Sequence, residues 1–112
     1  MITVKDWRQV QSGEVVVYIG RYNRYYNLAR SPYANPFKLQ KESDRKDVLL
    51  QFAVWWYSPE QKWLREQAFE QWDTDEVLAC WCHPRACHGD IEAGYVNAKR
   101  AGLFDDTTIH AA

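Results

Sequence analysis

The sequence has 112 residues, the length of a single domain, and its net charge is −1. Hydrophobic residues make up 46% and charged residues 26% of the chain, a globular balance that excludes a disordered chain or a collagen-like repeat. The sequence has no apolar run of about 18 residues and no apolar segment at its N-terminus, so we expect no membrane-spanning helix and no secretory signal.

The first predicted element is a buried strand at residues 14–19, a run rich in β-branched residues that Gly20 closes. Residues 21–42 show no sustained hydrophobic period and contain several Asn and Pro residues, so we expect a long ordered loop. A loop of this length inside a compact domain is usually functional.

Two helices are predicted next. The first begins at Ser43 and ends near Tyr57, because apolar residues recur there at helical spacing. The second begins with Ser58 as its N-cap, Pro59 in its first turn and Gln61 completing a capping box. Its predicted apolar face consists of Trp63, Leu64, Ala68 and Trp72.

The C-terminal part predicts a second strand at residues 76–82, a turn at 83–86 and a third helix. This helix is expected to start near Asp90, to carry Lys99 and Arg100 in its last turn and to stop at Gly102.

Strands that alternate with helices predict an α/β fold, here a small sheet with a parallel centre and about three helices packed on it. We expect residues 1–104 to form this single domain and residues 105–112 to form a C-terminal tail. The three cysteines lie close together in the sequence and are too few for a disulfide scaffold, which favours the reducing cytoplasm.

The segment from Cys80 to Asp90 carries the sharpest chemical pattern, Cys-Trp-Cys-His-Pro-Arg-Ala-Cys-His-Gly-Asp. It joins the second predicted strand to the third predicted helix, the usual place for a ligand in an open α/β sheet. Backbone N–H groups at a helix start lower the pKa of a nearby thiol. Because the turn at 83–85 is polar, we expect Cys87 to ionise readily and Cys80 to be a buried, inert thiol.

Three interpretations of this segment remain open. In the first, Cys82, Cys87, His88 and Asp90 form a catalytic site. In the second, Cys80, Cys82, Cys87 and His88 bind zinc, although the paired Cys-x2-Cys spacing of common zinc modules is missing. In the third, the cysteines fill core space and the histidines bond to loop backbone. We predict no required metal or other cofactor, with zinc as the alternative.

The loop from Arg21 to Arg30 interleaves arginines with tyrosines and asparagines, which can bind phosphates, stack on bases and bond to base edges. Alternatively, the tyrosines cover the core while the arginines stay solvated. Arg21 directly follows the first predicted strand, so we expect its guanidinium in a pocket shared with Cys87 and His88. The predicted ligand-binding residues are Arg21, Arg24, Asn35 and His83.

Three motifs together resemble a small family of unknown function from bacteria and their phages. They are Tyr18-Ile19-Gly20-Arg21, Asn35-Pro36-Phe37 and the segment from Cys80 to Asp90. The resemblance covers about residues 14–98 and implies a compact α/β domain whose three motifs meet in one pocket, in a bacterial or phage-infected cell. The family pattern has glycine where Ala34 stands, so we expect the backbone before Asn35 to differ.

The expected function is the binding or processing of a nucleotide or another nucleic-acid-derived anion at a pocket of Cys, His and Arg side chains. The alternative is a non-enzymatic phage-type protein that blocks a host protein through an aromatic and arginine surface, since such residues anchor interfaces. Convergence of the motifs in a cleft favours the first function, and an exposed aromatic patch elsewhere favours the second. Whether the chain is an enzyme stays open.

Overall fold

A computed structural model describes residues 1–103 of the chain. The strands are β1 (Thr3–Asp6), β2 (Val16–Tyr18) and β3 (Val77–Cys80), and the helices are α1 (Arg45–Trp56), α2 (Lys62–Gln71) and α3 (His88–Arg100). Short 3-10 helices occupy Trp7–Gln9, Glu42–Asp44 and Pro59–Gln61. The predicted tail at 105–112 lies outside the described residues.

The three strands form one parallel sheet in the order β1-β3-β2, which confirms the predicted small α/β fold with three helices. All four residues of β3 are buried, as expected for the central strand of a parallel sheet. The register pairs Asp6 with Cys80 and Tyr18 with Ala79. The carboxyl ends of the strands therefore meet at one edge of the sheet.

Strand β1 is absent from the sequence-based expectation. It has four residues and lies at an edge of the sheet, with Thr3 exposed and Val4 half-buried. Such a short, half-solvated segment carries too weak a hydrophobic pattern to be recognised locally, and its pairing with β3 comes from the tertiary fold.

The helix starts differ from the prediction. Helix α1 begins at Arg45 because residues 42–44 form a 3-10 helix, and α2 begins at Lys62 after a second one. Ser58 does not cap α2, since its Oγ donates to the Trp55 carbonyl at 2.7 Å. Trp63 was expected in the core but is 58% exposed, so the buried face of α2 is narrower than predicted.

Helix α3 begins at His88 rather than near Asp90. Cys87 is the extended N-cap residue, and the Asp90 carboxylate accepts a hydrogen bond from the Cys87 backbone N–H at 3.0 Å. Asp90 therefore lies inside the first turn, where an acid is favourable to the helix dipole. The helix ends at Arg100, and Gly102 has the positive φ of +74° expected of a stop residue.

The core lies between the sheet and the helices. Helix α1 buries Val48, Phe52 and Trp56 at helical spacing, and the Trp56 ring meets the edge of Tyr95 at 5.8 Å. Helix α3 packs on β1 and β3 and also contacts α1 and α2. No helix within residues 1–103 has the length and apolar character needed to cross a bilayer.

Gly89 allows the first turn of α3 to approach the sheet. An added Cβ would lie 2.6 Å from Ile19 Cδ1 and 3.2 Å from Val4 Cγ1. Because Ile19 is fully buried, Gly89→Ala is expected to lower the free energy of unfolding by about 1 to 2 kcal/mol through overpacking. Its matched control is Gly94→Ala on the same helix, where nothing lies within 4 Å and alanine should stabilise by about 1 kcal/mol. Urea unfolding of both variants tests this, and a gain in stability for both would contradict the close packing.

Candidate functional site

A pocket of about 220 Å³ opens at the carboxyl ends of β2 and β3. This is the edge of a parallel sheet at which ligands usually bind. Polar groups and thiols that line it come from Arg21, Asn35, Arg45, Cys80, Cys82, Cys87 and His88. Its apolar wall comes from Phe37, Leu39, Val48, Leu49 and Trp81.

Arg21 joins two of the sequence motifs across this pocket. Its Nε and one terminal nitrogen donate to the Asn35 carbonyl at 3.3 and 3.0 Å. The Asn35 side chain accepts from the Phe37 N–H at 2.9 Å, which fixes the turn that presents this carbonyl. No carboxylate of residues 1–103 lies within ion-pair distance of Arg21. The half-buried guanidinium therefore keeps a charge that nothing in the described chain neutralises.

Arg45 is a pocket residue that the sequence-based expectation missed. Its guanidinium donates twice to the Glu42 carboxylate, at 2.9 and 2.8 Å, and once to the Ala86 carbonyl at 2.6 Å. The pKa of Arg45 is raised, mainly by Glu42 and further by the neighbouring Cys82 thiol. The sequence held one indication of this role. An arginine in the first turn of a helix is unfavourable to the helix dipole, which suggests that it has a tertiary partner.

The Cys80 and Cys87 thiols form a close pair, with their sulfur atoms 3.5 Å apart. Cys87 is only 2% exposed, and the hydrogen bond to Cys80 together with burial raises its pKa. The expectation that Cys87 ionises readily is therefore wrong. The Cys80 thiolate is the favoured one, because Cys87 donates to it and the backbone N–H groups of His83 and Cys82 support it, which lowers the pKa of Cys80. Cys80 is buried as predicted, but its surroundings do not make it inert.

His88 links α3 to the end of β2. Its Nε2–H donates to the Ile19 carbonyl at 2.8 Å, and its ring meets the edge of Phe52 at 5.3 Å. Burial, with the nearby positive charge of Arg21, lowers the pKa of His88 to about 4. The imidazole is therefore neutral at pH 7 and adds no positive charge to the neighbouring thiols.

Three predicted site residues lie outside the pocket lining. The Asp90 carboxylate caps the first turn of α3. Arg24 is exposed, and its carbonyl accepts from the Asn27 N–H within a turn. His83 is exposed and lines a separate depression beside Asp6 and Arg8. The pocket thus brings together Arg21, Asn35, Cys82, Cys87 and His88 of the predicted set, and adds Arg45.

Metal-ligand geometry is not found in the part of the chain that the structure describes. Within residues 1–103, no group of three or more His, Cys, Asp or Glu side chains is arranged to hold a metal ion. The proposed zinc ligands Cys80, Cys82, Cys87 and His88 do line one pocket, but Nε2 of His88 is already bonded to Ile19. Zinc binding stays an untested prediction.

Exposed aromatic side chains cluster in the loop after β2. Tyr25 is 96% exposed, and Tyr22 and Tyr26 are also exposed. The Tyr26 ring lies 5.3 Å from Trp81, which places this part of the loop beside the pocket rim. A cleft and an exposed aromatic surface are thus both present, so these two features do not separate the two expected function classes.

A comparison with protein-family models matches residues 2–98 to a family described as "Domain of unknown function (DUF4326)". The match covers most of the chain and confirms the resemblance to an uncharacterised family. Searches of curated proteins and of solved structures found no match.

Proposed function

The chain belongs to the DUF4326 family of domains of unknown function, and we propose that its pocket binds a nucleotide or another nucleic-acid-derived anion. The observation that carries this proposal is Arg21. Its guanidinium lines the pocket, donates only to a neutral carbonyl among residues 1–103 and has no carboxylate partner there. A phosphate or other anion would complete its coordination with charge-assisted hydrogen bonds.

The pocket wall supports an anion that also has a flat apolar part. Phe37 and Trp81 contribute apolar aromatic surface to the cavity, whereas Arg21 and Arg45 contribute charged groups. Aromatic side chains stack on bases irrespective of sequence. At about 220 Å³ the cavity is smaller than most sites for drug-sized ligands, which favours a ligand no larger than one nucleotide, or the end of a chain, over a dinucleotide.

Cys82 is the thiol best positioned to meet such a ligand. It is half-buried rather than buried, and it lies beside the Arg45 guanidinium. Arg45 pairs with the Glu42 carboxylate and donates to the Ala86 carbonyl, so its guanidinium is held in place beside Cys82. These groups support an anion site next to an accessible thiol, which is the arrangement expected if the ligand is processed as well as bound.

Isothermal titration tests the proposal with nucleoside monophosphates, the matching nucleosides and inorganic phosphate. We expect monophosphates to bind and Arg21→Ala to weaken them at least tenfold, because hydrogen bonds to charged groups contribute about 1.5 to 3 kcal/mol. Arg21→Lys should restore only part of the affinity, since lysine lacks the planar fork. The matched control is Arg24→Ala, in the same loop but outside the pocket, which should leave the affinity unchanged.

Two results would contradict the proposal. One is equal binding of nucleosides and nucleoside monophosphates, because the arginine would then play no part. The other is an equal loss of affinity in Arg24→Ala and Arg21→Ala. Thermal unfolding of each variant should accompany the titrations, since Arg21 also holds the Asn35 turn.

The exposed tyrosines favour a second candidate, a non-enzymatic phage-type protein that binds and blocks a host protein. Tyr25 and Tyr22 flank Arg24 on the loop surface, and tyrosine and arginine are typical anchors of protein interfaces. Arg24 and Tyr25 would carry such binding, whereas Arg21 carries the anion site. The absence of any ligand binding in the titrations would favour this second function.

A further inference from the structure

Cys80 and Cys87 place two thiols side by side in the described structure. Cys80 ends β3, Cys87 precedes α3, and their sulfur atoms are 3.5 Å apart. A disulfide bond is about 2.0 Å long, so the two sulfur atoms need to approach by only about 1.5 Å. Both cysteines hold free thiols in this structure.

The pair is buried from bulk solvent but lies at the floor of the pocket. Both residues contribute to the pocket lining, so a small reagent that enters the cavity comes next to the buried pair. The backbone N–H groups of Cys82 and His83 point at the Cys80 sulfur and stabilise negative charge on it. Cys80 is thus the attacking thiol and Cys87 its neighbouring partner.

We infer that Cys80 and Cys87 form a redox-active dithiol, which closes to an intramolecular disulfide when a small peroxide enters the pocket. This inference goes beyond the proposed function, because it requires neither Arg21 nor a bound anion. The two proposals therefore succeed or fail separately.

The chemistry needs two steps and one peroxide. The Cys80 thiolate attacks a peroxide oxygen, an S–O bond forms and the O–O bond breaks. The departing hydroxide takes up the proton that Cys80 released on ionising and leaves as water. The Cys87 sulfur then attacks the Cys80 sulfur, the S–S bond forms and the S–O bond breaks. The second hydroxide leaves with the Cys87 proton as water. In balance, two thiols and one hydrogen peroxide give one disulfide and two waters.

The first test treats the reduced wild-type protein with hydrogen peroxide and then alkylates the remaining thiols under denaturing conditions. We expect two of the three thiols to be lost and to return after dithiothreitol. Trypsin cleaves after Arg85, which separates the peptide of Cys80 and Cys82 from that of Cys87. A disulfide-linked pair of these peptides should therefore appear in the mass spectrum.

Cys82 supplies the control that identifies the partner. Cys82→Ser should still form the linked peptides at the wild-type rate, whereas Cys80→Ser and Cys87→Ser should not. Loss of the linkage in Cys82→Ser would overturn the inference, because Cys82 would then be the true partner. Disulfide-linked dimers, or three alkylated thiols after treatment of the wild-type protein, would overturn it as well. The wild-type and Cys82→Ser results decide the question even if the other variants fail to fold.

Discussion

Replacing Glu92 by glutamine is expected to stabilise the protein at neutral pH and to change its stability far less in acid. Glu92 is fully buried in α3, and neither of its carboxylate oxygens has a hydrogen-bond partner within residues 1–103. Burial raises the pKa of this carboxyl well above its ordinary value of 4.5, and the nearby Cys80 raises it further. The native protein therefore keeps a proton that the unfolded chain releases.

The sign of the effect follows from this difference in proton binding. Since the native pKa is the higher one, the contribution of Glu92 to stability is greatest below pH 4.5 and falls as the pH rises towards the native pKa. Each pH unit above 4.5 costs about 1.4 kcal/mol until the pH reaches the native pKa. Glutamine has nearly the same shape and no proton to release, so Glu92→Gln removes this cost.

Urea unfolding in a reducing buffer at pH 4.5 and pH 7 measures the effect. The difference in free energy of unfolding between Glu92→Gln and wild type should be larger at pH 7 than at pH 4.5, because only the wild-type protein loses stability as the pH rises towards the native pKa of Glu92. The control is Glu70→Gln on the exposed surface of α2, which should stay within about 0.5 kcal/mol of wild type at both pH values. A Glu92→Gln difference that does not grow with pH would mean that the buried carboxyl ionises in the native state.

The strands of the sheet could be predicted where an apolar run in the sequence is also buried in the fold. The apolar run of β3 is buried at every position, and the fold class with three helices followed from it and from the helical spacing of α1. Strand β1 was not predictable, because its residues are only partly buried at a sheet edge. The 3-10 helices at Glu42–Asp44 and Pro59–Gln61 displaced the starts of α1 and α2, since the first turn at a helix start is often 3-10 and the hydrophobic pattern does not distinguish it from an α-helical turn.

The location of the site was also predictable, but the burial and the pKa of its side chains were not. The segment from Cys80 to Asp90 has to lie at a strand end and a helix start, which is a local property of the sequence. The burial of Cys87 and His88 depends on how α1 and the loop before it cover that turn, which is a tertiary property. A polar turn at 83–85 therefore suggested an exposed thiol, whereas Cys87 faces the core cluster.

Glu92 and Arg45 are charged residues whose burial or contacts the local sequence does not indicate. A glutamate in a helix is normally a surface residue, so nothing local marks Glu92 as fully buried. The reach of Arg45 to the Ala86 carbonyl joins residues that are far apart in the sequence. Only the packing of α1 against the turn before α3 brings them together.

Protonation of His88 is expected to destabilise the protein as the pH falls, with the opposite slope to that of Glu92. The pKa of His88 is lowered from 6.5 to about 4, because the ring is buried and lies near the positive charge of Arg21. Below pH 6.5 the unfolded chain binds a proton that the native protein excludes, so stability is lost between pH 6.5 and pH 4. The loss over this range is about 2.5 kcal/mol.

In the wild-type protein, Glu92 and His88 change the free energy of unfolding with pH in opposite directions, so their contributions partly cancel between about pH 4.5 and 6.5. Glu92→Gln removes the pH dependence that Glu92 causes. The free energy of unfolding of this variant should therefore fall steeply on acidification, because the contribution of His88 remains. Adding His88→Gln to Glu92→Gln should flatten the curve again, although loss of the ring lowers the stability at every pH. Adding His83→Gln instead, at an exposed histidine, should leave the steep fall unchanged. A steep acid loss that persists in the Glu92→Gln, His88→Gln double variant would show that another group supplies the slope, and that His88 accepts its proton in the native protein as readily as in the unfolded chain.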